Sequence, residues 1–474
     1  MKKILALVLT LTLCLSLLSV GAVAETDGEF EYTIGGRGVT ILSYVGVGGD
    51  VVIPDTIEGE PVFAIGLHAF SSSNDGVGDT VTSLHIPETV TTIEHGALYG
   101  CDNATAYTVS EENPAFKSVD GVLFTKDGKT LVRYPAGKTE TTYTIPESVT
   151  TIDSYAFANC KSLTSIDIPH GVTTIRDRGF YYCTGLEAVE LPEGLITIED
   201  AAFVFCKNIR SLNVPGSVTT IGEHSFASCW ALTSVTIGAD ATAAEDSGTV
   251  IGKRAFESCE NLTTLTIGSG VSTIGNHAFY WCSNLTTLTF EEGVTTIEEG
   301  AFENCRNLAL VTFPGSLTTI ENAAFYYCNS LTTVTIPKSV TTIGRAAFAF
   351  VTDGCTPPAP MEGFVIKGVA GSEAETYALA NEIFFEAIPD PVIFYGDVNG
   401  DTKIDAKDAL LVLKYSVGKA ELTQAQQKNA EVDGKDGINA KDALEILKYS
   451  VKKITKFPIE KIVITPTDVT PTNQ

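Results

Sequence analysis

The sequence has little positive charge. Against 58 Asp and Glu residues it contains only 31 Lys and Arg residues, which gives a formal net charge of −27 at pH 7. A surface this acidic repels polyanions. Nucleic acids and acidic membrane surfaces are therefore set aside as partners.

The sequence also lacks the short motifs of catalytic sites. It contains no Gly-x-Ser-x-Gly, no His-Glu-x-x-His and no phosphate-binding loop. Its six histidines are scattered, and four of them lie in or near one recurring turn, which favours a surface role. We therefore predict no catalytic residue and expect the chain not to be an enzyme. The histidines are His68, His85, His95, His170, His224 and His277.

Long apolar runs are absent except at the N-terminus. There the basic segment Met1–Lys3 precedes an apolar run from Ile4 to Val20 and the small-residue site Ala22-Val23-Ala24. This order predicts a cleaved signal peptide over residues 1–24, so that the mature protein begins near Glu25 and is secreted. An uncleaved membrane anchor is the weaker alternative, because the run is at the short end for crossing a bilayer.

Most of the chain repeats with a period of 23 residues. A phenylalanine after a small residue recurs nine times, and every step is 23 residues except one of 30. A cysteine follows three residues after each of the first eight phenylalanines. The phenylalanines are Phe157, Phe180, Phe203, Phe226, Phe256, Phe279, Phe302, Phe325 and Phe348, and the cysteines are Cys160, Cys183, Cys206, Cys229, Cys259, Cys282, Cys305 and Cys328.

A period of this length with a Leu-x-x-Val-x-Ile core is typical of leucine-rich repeats, in which each coil contributes a short strand and stacks on its neighbours. In one unit Leu163, Ile166 and Ile168 should point inward. The alternating Ser165 and Asp167 should face solvent, because side chains alternate along a strand.

The repeat is similar to the 23-residue bacterial surface-antigen type of leucine-rich repeat. The resemblance covers roughly residues 60 to 388 and implies a mainly β solenoid of short parallel strands. Degenerate coils extend it toward the N-terminus over Ile65–Phe70 and Val90–Cys101, where Leu98 takes the phenylalanine position.

An insert interrupts the coils between Phe116 and Pro135. Its apolar segments Val119–Phe124 and Leu131–Tyr134 flank an Asp127-Gly128 turn. This pattern predicts a β-hairpin.

The period ends at Gly371. From there to Phe385 the apolar residues Tyr377, Ala380 and Phe384 follow a helical spacing. A helical unit that covers the last coil is expected, since solenoids need capping elements.

The cysteines follow the repeat rather than a disulfide pattern. Cys14 is removed with the signal peptide, and Cys101 joins the eight repeat cysteines in one register. Side chains on stacked coils point the same way, which fits poorly with the torsion of a disulfide. We therefore expect buried thiols and no metal cluster. Cys355 lies outside the register and is left unassigned.

The pattern changes completely after Pro391. From Asp397 to Asp408, oxygen-bearing side chains occupy loop positions 1, 3, 5, 9 and 12, the spacing that surrounds Ca²⁺. A helical apolar pattern follows, and residues 440–451 repeat residues 406–417 with two changes. The expected ligands of this first loop are Asp397, Asn399, Asp401, Lys403, Asp405 and Asp408.

Two such loop–helix units resemble a type I dockerin over residues 396–455. The resemblance implies that the module docks into a cohesin domain on a scaffold protein, as in cellulosome-type assemblies that degrade polysaccharides. By the same resemblance, docking would involve Ala406, Lys407, Leu413, Lys414, Ala440, Lys441, Leu447 and Lys448.

The second loop departs from the pattern. Aligned on Asp442, its ligands would be Glu431, Asp433, Asn439 and Asp442, but Lys435 stands at position 5, where a carboxylate belongs. We therefore expect one firm calcium site and a second, doubtful one.

The surface of the solenoid offers two candidate binding features. Outward threonines form ladders that could bind a protein or a glycan, although threonine is also simply a good strand residue. Partly exposed aromatic residues could stack on sugars or anchor a partner, or could be ordinary packing. The threonines are Thr264, Thr266, Thr287, Thr289, Thr333 and Thr335, and the aromatics are Tyr181, Tyr182, Phe205, Tyr280, Trp281, Tyr326 and Tyr327.

The sequence thus predicts a scaffold-docked, extracellular binding protein with a leucine-rich-repeat solenoid and a small all-α calcium module. The alternative is an accessory carbohydrate-binding component of polysaccharide degradation. The predicted segments are a signal peptide (1–24), the solenoid (25–388), a linker (389–395), the dockerin-like module (396–455) and a mostly disordered tail (456–474).

Overall fold

A computed structural model describes residues 25–71, 77–238, 248–348, 350–351, 359–389, 398–399, 403–422, 424–433, 437–450 and 452. The predicted signal peptide, Cys355 and the predicted tail lie outside these residues. The chain divides into two compact units, one up to Ile388 and one from Pro389.

The N-terminal part of the first unit contains nine strands. They are β1 (Glu25–Asp27), β2 (Phe30–Gly35), β3 (Gly38–Tyr44), β4 (Gly49–Val52), β5 (Thr56–Ile57), β6 (Glu60–Ile65), β7 (Val81–Ile86), β8 (Thr92–Ile93) and β9 (Ala106–Val109), with a short 3₁₀ helix at Val77–Thr80. Strands β1 to β3 are antiparallel. In the same sheet, β3 pairs with β6 and β6 pairs with β8, and both pairs are parallel. Parallel stacking of the degenerate coils therefore begins here, as the sequence predicts.

The insert has three strands, not two. They are β10 (Phe116–Val119), β11 (Val122–Thr125) and β12 (Thr130–Arg133), and each pairs antiparallel with the next. The prediction of one strand over Val119–Phe124 is wrong, because the chain reverses at Asp120 and Gly121, whose φ angles are 51° and 80°. Two consecutive positive φ angles are those of a type I′ hairpin turn, and Asp-Gly is a favoured pair for it.

The repeated coils contribute two strands each, except that in one coil Val311 and Thr312 form isolated bridges in place of a strand. In chain order these are β13 (Thr142–Thr144), β14 (Thr151–Ile152), β15 (Ser165–Asp167), β16 (Thr174–Ile175), β17 (Ala188–Val189), β18 (Thr197–Ile198), β19 (Ser211–Val214), β20 (Thr220–Ile221), β21 (Ser234–Ile237), β22 (Thr249–Ile251), β23 (Thr264–Ile267), β24 (Val271–Ile274), β25 (Thr287–Phe290), β26 (Thr296–Ile297), β27 (Thr319–Ile320), β28 (Thr333–Thr335) and β29 (Thr342–Ile343). With the coils that precede them in the chain, they build a solenoid of about 14 turns.

Two faces of the solenoid carry these strands. The predicted Leu-x-x-Val-x-Ile strands form the sheets β13-β15-β17 and β19-β21-β23-β25. The Thr-Ile pairs form a longer sheet of twelve strands that also includes the insert. On the predicted face Leu163, Ile166 and Ile168 are buried, whereas Ser165 and Asp167 are exposed. The inward and outward assignments are confirmed, but the longest sheet was not anticipated.

A column of phenylalanine rings fills the interior. The nine repeated rings lie parallel, with neighbouring centroids 4.7 to 5.3 Å apart. The N–H of each of the first eight phenylalanines donates to the carbonyl of the residue immediately before the next phenylalanine, as Phe157 does to Gly179 at 2.7 Å. The column and the backbone bonds thus join the same pairs of coils.

Each repeated turn uses the left-handed backbone region twice. The residues two before and two after the phenylalanine have φ between 53° and 63°, as at Arg178 (54°) and Tyr182 (57°) around Phe180. Non-glycine residues seldom adopt this region. His68, His224 and His277 occupy the first of these positions, which agrees with their predicted surface-turn role.

A helix covers the last coil. The elements are β30 (Phe350–Val351), β31 (Ala359–Pro360), β32 (Val365–Val369), α1 (Glu373–Ala380) and β33 (Phe384–Ile388). Tyr377 of α1 is buried, and its ring meets the last ring of the column, Phe348, edge-on at 6.3 Å. The predicted cap is therefore present. Ala380 and Phe384 are exposed, however, because the chain leaves the helix after Ala380 and enters β33.

Nine cysteines are free, buried thiols, from Cys101 to Cys328. Seven of them donate to the carbonyl of the phenylalanine in the preceding coil, with sulfur–oxygen distances of 3.0 to 3.4 Å. A small apolar side chain with a weak donor suits this position. The expectation of thiols is confirmed for the nine described cysteines.

The described residues of the second unit form three helices: α2 (Ala406–Ser416), α3 (Gln424–Ala430) and α4 (Ala440–Ser450). Its core consists of Val398, Ala409, Val412, Leu422, Ala430, Val432, Ala443 and Ile446. Among all described residues, no helix is both long and apolar enough to cross a membrane.

The thiols should be unreactive in the folded protein. Burial raises the pKa of Cys101 and of Cys259 to about 12, so both are protonated at pH 8, and only the thiolate is nucleophilic. Treated with a thiol reagent at pH 8 without reductant, the native chain should leave all nine cysteines unmodified, and the denatured chain should modify them. Mass shifts that reveal four or more disulfides would contradict this.

Candidate metal centre and docking surface

The first loop is closed by a buried carboxylate. Asp408 is fully buried; its Oδ1 accepts from the N–H groups of Val398 (2.9 Å) and Asn399 (3.0 Å), and its Oδ2 accepts from the N–H of Asp405 (2.9 Å). Positions 2, 3 and 9 of the loop are thereby tied to position 12. Asp408 lies in the first turn of α2. The helix therefore fixes the position of the carboxylate that holds the two ends of the loop.

The second loop has the same construction. Asp442 is fully buried, its Oδ1 accepts from Val432 and Asp433, and its Oδ2 accepts from Asn439, all at 3.0 Å. The duplication seen in the helices therefore extends to the bonds that shape the loops, although the two loop sequences differ.

Position 9 of each loop caps the helix that follows. The Oδ1 of Asp405 accepts from the N–H of Lys407 at 2.7 Å, and the Oδ1 of Asn439 accepts from the N–H of Lys441 at 2.8 Å. Such N-caps satisfy donors that the first helical turn leaves open. They also hold the two lysines at equivalent, exposed positions.

Three carboxylates of the second loop converge. Glu431, Asp433 and Asp442 each place one oxygen within 4.8 Å of the others. Oxygens that bind one Ca²⁺ at 2.3–2.6 Å are at most about 5 Å apart. Negative groups this close are favoured by a cation between them, and oxygen-only ligands suit a hard ion such as Ca²⁺. The residues present therefore fit a calcium ion.

The remaining predicted ligands are only partly described. Asn399, Lys403, Asp405 and Asp408 lie in the described part of the first loop. The three other loop residues that entered the prediction, Asp397, Asp401 and Lys435, lie outside the described residues.

The predicted docking residues lie on the two related helices. Of those on α2, Ala406, Lys407, Leu413 and Lys414 are exposed. On α4, Ala440 and Lys441 are exposed, whereas Leu447 and Lys448 are half-buried. Lys448 forms an ion pair with Glu445 on the same helix. The equivalent of Glu445 on α2 is Leu411, so the two helix surfaces differ in charge.

Sequence reasoning missed two exposed leucines. Leu410 and Leu444 occupy the same position on α2 and α4, and their exposed fractions are 51% and 52%. The signal was available in the apolar run after Asp408, which is longer than the part of it that packs against the core, namely Ala409, Leu411 and Val412. Paired apolar side chains on a small surface are typical of a protein contact.

The aromatic residues of the solenoid form separate clusters rather than a row. Tyr182 contacts Tyr181 and Phe205 at centroid distances of 4.8 and 4.5 Å, and Lys207 lies 4.5 Å from the ring centroid of Trp230. The two other predicted groups each pair internally, Tyr280 with Trp281 and Tyr326 with Tyr327. All seven predicted rings are at least partly accessible.

The outward threonines are at least partly accessible. Thr264 and Thr266 are half-buried, and Thr287 and Thr289 are exposed. Within the described residues, the only His, Cys, Asp or Glu group close enough to hold a metal is the one in the second loop.

Two sequence families match the chain. The BspA type leucine rich repeat region matches in six copies over residues 51–126, 136–248 and 240–353. The dockerin type I domain matches residues 395–449. No curated protein matches.

Solved bacterial proteins with leucine-rich repeats are similar to the chain. One from Eubacterium ventriosum is 27% identical, with 63% of this chain and 64% of that chain covered and a TM-score of 0.41. One from Bacteroides ovatus is 23% identical, with 77% and 100% covered and a TM-score of 0.46. A leucine-rich cell surface protein from Faecalibacterium prausnitzii is 23% identical, with 68% and 94% covered and a TM-score of 0.37. The chain thus spans just under two thirds of the first of these proteins.

Removing the buried carboxylate of the first loop should unfold the second unit. Asp408→Ala leaves three N–H groups without their acceptor, at a cost of about 1–3 kcal/mol for each that stays buried. A module of this size has roughly 3–5 kcal/mol of stability. Hydrogen exchange followed by mass spectrometry should show lost protection over residues 398–450 and none over the solenoid.

The matched control is Glu421→Ala, which removes an exposed carboxylate from the same unit. Its exchange should equal that of the unmodified chain. Full protection of α2 and α4 in Asp408→Ala would show that the carboxylate is not what holds the loop.

Proposed function

Because the chain belongs to the BspA-type leucine-rich-repeat family and carries a type I dockerin domain, we propose that it is a secreted, non-catalytic binding protein. The dockerin attaches it through a cohesin to a scaffold, either of the cellulosome type or at the cell surface. The solenoid binds a protein or another surface partner. The observation that carries this proposal is the pair of loop–helix units, each closed by a buried aspartate in the same way.

Calcium organises the dockerin in this proposal. Dockerin type I domains generally bind Ca²⁺, and the acidic group of the second loop fits one ion. The first loop binds more tightly, since its sequence supplies an acidic or amide oxygen at every side-chain position of the ligand pattern. The second loop binds more weakly, because Lys435 at position 5 adds a positive charge.

Two related surfaces can present the dockerin to a cohesin. One comprises Ala406, Lys407, Leu413 and Lys414, and the other comprises Ala440, Lys441, Leu447 and Lys448. We add Leu410 and Leu444, since each is an exposed apolar side chain beside the lysine of its own helix. In many protein interfaces, apolar side chains are buried against the partner while neighbouring charges orient it.

A second candidate function is direct binding of a polysaccharide by the solenoid. The aromatic cluster of Tyr181, Tyr182, Phe205 and Trp230 favours it, because these rings are partly or largely accessible and lie on neighbouring coils, where they could stack on sugars. In this alternative the chain is an accessory carbohydrate-binding component of polysaccharide degradation. Pull-down on insoluble polysaccharides distinguishes it from binding of a surface protein.

Charge reversal on both helices should weaken docking more than either change alone. Lys407→Glu and Lys441→Glu each leave one surface intact, so each should lower the affinity for a compatible cohesin by less than about tenfold. The double variant should lower it by at least about 100-fold, or ~2.7 kcal/mol. Isothermal titration calorimetry in calcium measures all three.

Lys419→Glu is the control, because it makes the same charge change on an exposed residue beyond the far end of α2, about 16 Å along the helix axis from its start. It should bind like the unmodified chain. If a fragment ending at Ile388 still binds the cohesin, the docking function belongs to the solenoid and the proposal fails.

A further inference from the structure

The face that carries the Leu-x-x-Val-x-Ile strands is interrupted early in the solenoid. The strands β15 and β17 share only two paired positions, Ser165 with Ala188 and Ile166 with Val189. In contrast, β19, β21, β23 and β25 pair over four positions each. Among the described residues, no strand pairing joins β17 to β19. The two coils that carry β15 and β17 therefore separate after Val189.

The later coils stay joined at the position where these two separate. There the residue after each strand donates its N–H to the last strand residue of the preceding coil, as Gly238 does to Val214 at 3.0 Å. Leu191 occupies the position of Val214, one period of 23 residues earlier. Among the described residues, however, no backbone hydrogen bond joins residues 167–168 to residues 190–191. The backbone is thus open at this point.

A cleft of about 530 Å³ lies at the opening. It is lined by residues 165–168 and 170 of one coil and by residues 188 and 190–193 of the next. The inward side chains of its floor, Ile166, Ile168 and Leu191, are 6 to 9% exposed, whereas the same positions of β21 and β23 are at most 1% exposed. Ligand pockets in proteins measure roughly 300–1,000 Å³. The cleft is therefore large enough for side chains of a partner.

The rim of the cleft is acidic. Asp167, Glu190 and Glu193 are exposed, and Asp167 and Glu190 occupy the same repeat position in consecutive coils. Among the described residues, none of the three carboxylates forms an ion pair. The lining contains no Lys or Arg, and its only other ionisable side chain is that of His170. The negative charge of the rim is therefore available to a ligand.

This combination of floor and rim excludes several classes of ligand. The three carboxylates do not converge on one metal ion, because the only group that does so among the described residues is that of the second calcium loop. An acidic polysaccharide would be repelled. A neutral one would find no Phe, Tyr or Trp ring in the lining on which to stack. Lys and Arg side chains, in contrast, combine an apolar stem with a cationic head.

We propose that this cleft binds a basic segment of a partner protein. A Lys or Arg side chain of that segment lies with its stem over Ile168 and Leu191 and with its cation between Asp167 and Glu190. Opposite charges across an interface speed association and select against wrong partners. The inference rests on the proposed protein-binding role of the solenoid and adds where the partner binds and which charge it carries.

The test starts from a phage-displayed library of random dodecapeptides, selected on the immobilised full chain in calcium. Salt is kept at about 150 mM, where attraction between distant surface charges is largely screened. The site variant combines Asp167→Asn, Glu190→Gln and Glu193→Gln. Its circular dichroism should equal that of the unmodified chain, because all three side chains are exposed.

The matched control combines Glu60→Gln, Glu88→Gln and Glu260→Gln, which remove the same charge from exposed residues outside the cleft. Selected peptides should be enriched in Lys and Arg. Fluorescence anisotropy of synthetic copies should show binding to the site variant at least about tenfold weaker than to the unmodified chain. The control variant should bind within about twofold of the unmodified chain, since only the cleft joins its charge to an apolar floor.

The failures of the two proposals can be told apart. Peptides that bind the site variant as tightly as the unmodified chain, peptides that both variants weaken equally, or peptides without basic residues would overturn the cleft but leave the solenoid a protein binder. A selection that recovers no peptide would overturn both the cleft and the protein-binding role.

Discussion

The solenoid depends on one distance, the spacing between stacked coils. Parallel strands lie about 4.8 Å apart, and the phenylalanine centroids are separated by 4.7 to 5.3 Å. One translation therefore satisfies the backbone hydrogen bonds, the ring contacts and the thiol–carbonyl contacts together. Each coil is completed only by its neighbours, which is why the last ring, Phe348, needs Tyr377 of α1 against it.

Because the coil spacing depends on inward residues, the outward residues are free to differ from coil to coil. The phenylalanine position does not vary over the nine coils, because a side chain of another size would alter the spacing of the column. The outward positions carry different side chains from coil to coil, as Tyr182, Ser228 and Trp281 show at one turn position. Binding by the solenoid therefore falls to outward residues, while attachment is assigned to a second unit with its own core.

The regular parts of the fold were predictable because they repeat. Nine copies of one unit identify its period, and the alternation around Ile166 follows from strand geometry. The duplicated segments at Ala406 and Ala440 likewise identify the helices of the second unit.

The rest was not predictable because it depends on single residues or on contacts between distant ones. Two-residue Thr-Ile strands are too short to show a pattern of their own, and Asp120-Gly121 was hidden inside an apolar segment. Phe384 matches the helical spacing of Tyr377 and Ala380, but the helix ends at Ala380 and Phe384 begins β33. Arg133 is buried because it precedes Tyr134, whose ring stacks on Phe157, and this contact between coils appears only in the folded chain.

The central claim is that the chain joins a calcium-independent solenoid to a calcium-dependent docking module. Differential scanning calorimetry of the chain from Glu25 onward, in calcium and in excess chelator, tests this most directly. The account predicts two transitions in calcium, of which the smaller disappears in chelator while the larger keeps its Tm, because a ligand stabilises only the unit that binds it. Two transitions that are both unchanged in chelator, or a single transition that shifts as a whole, would contradict it.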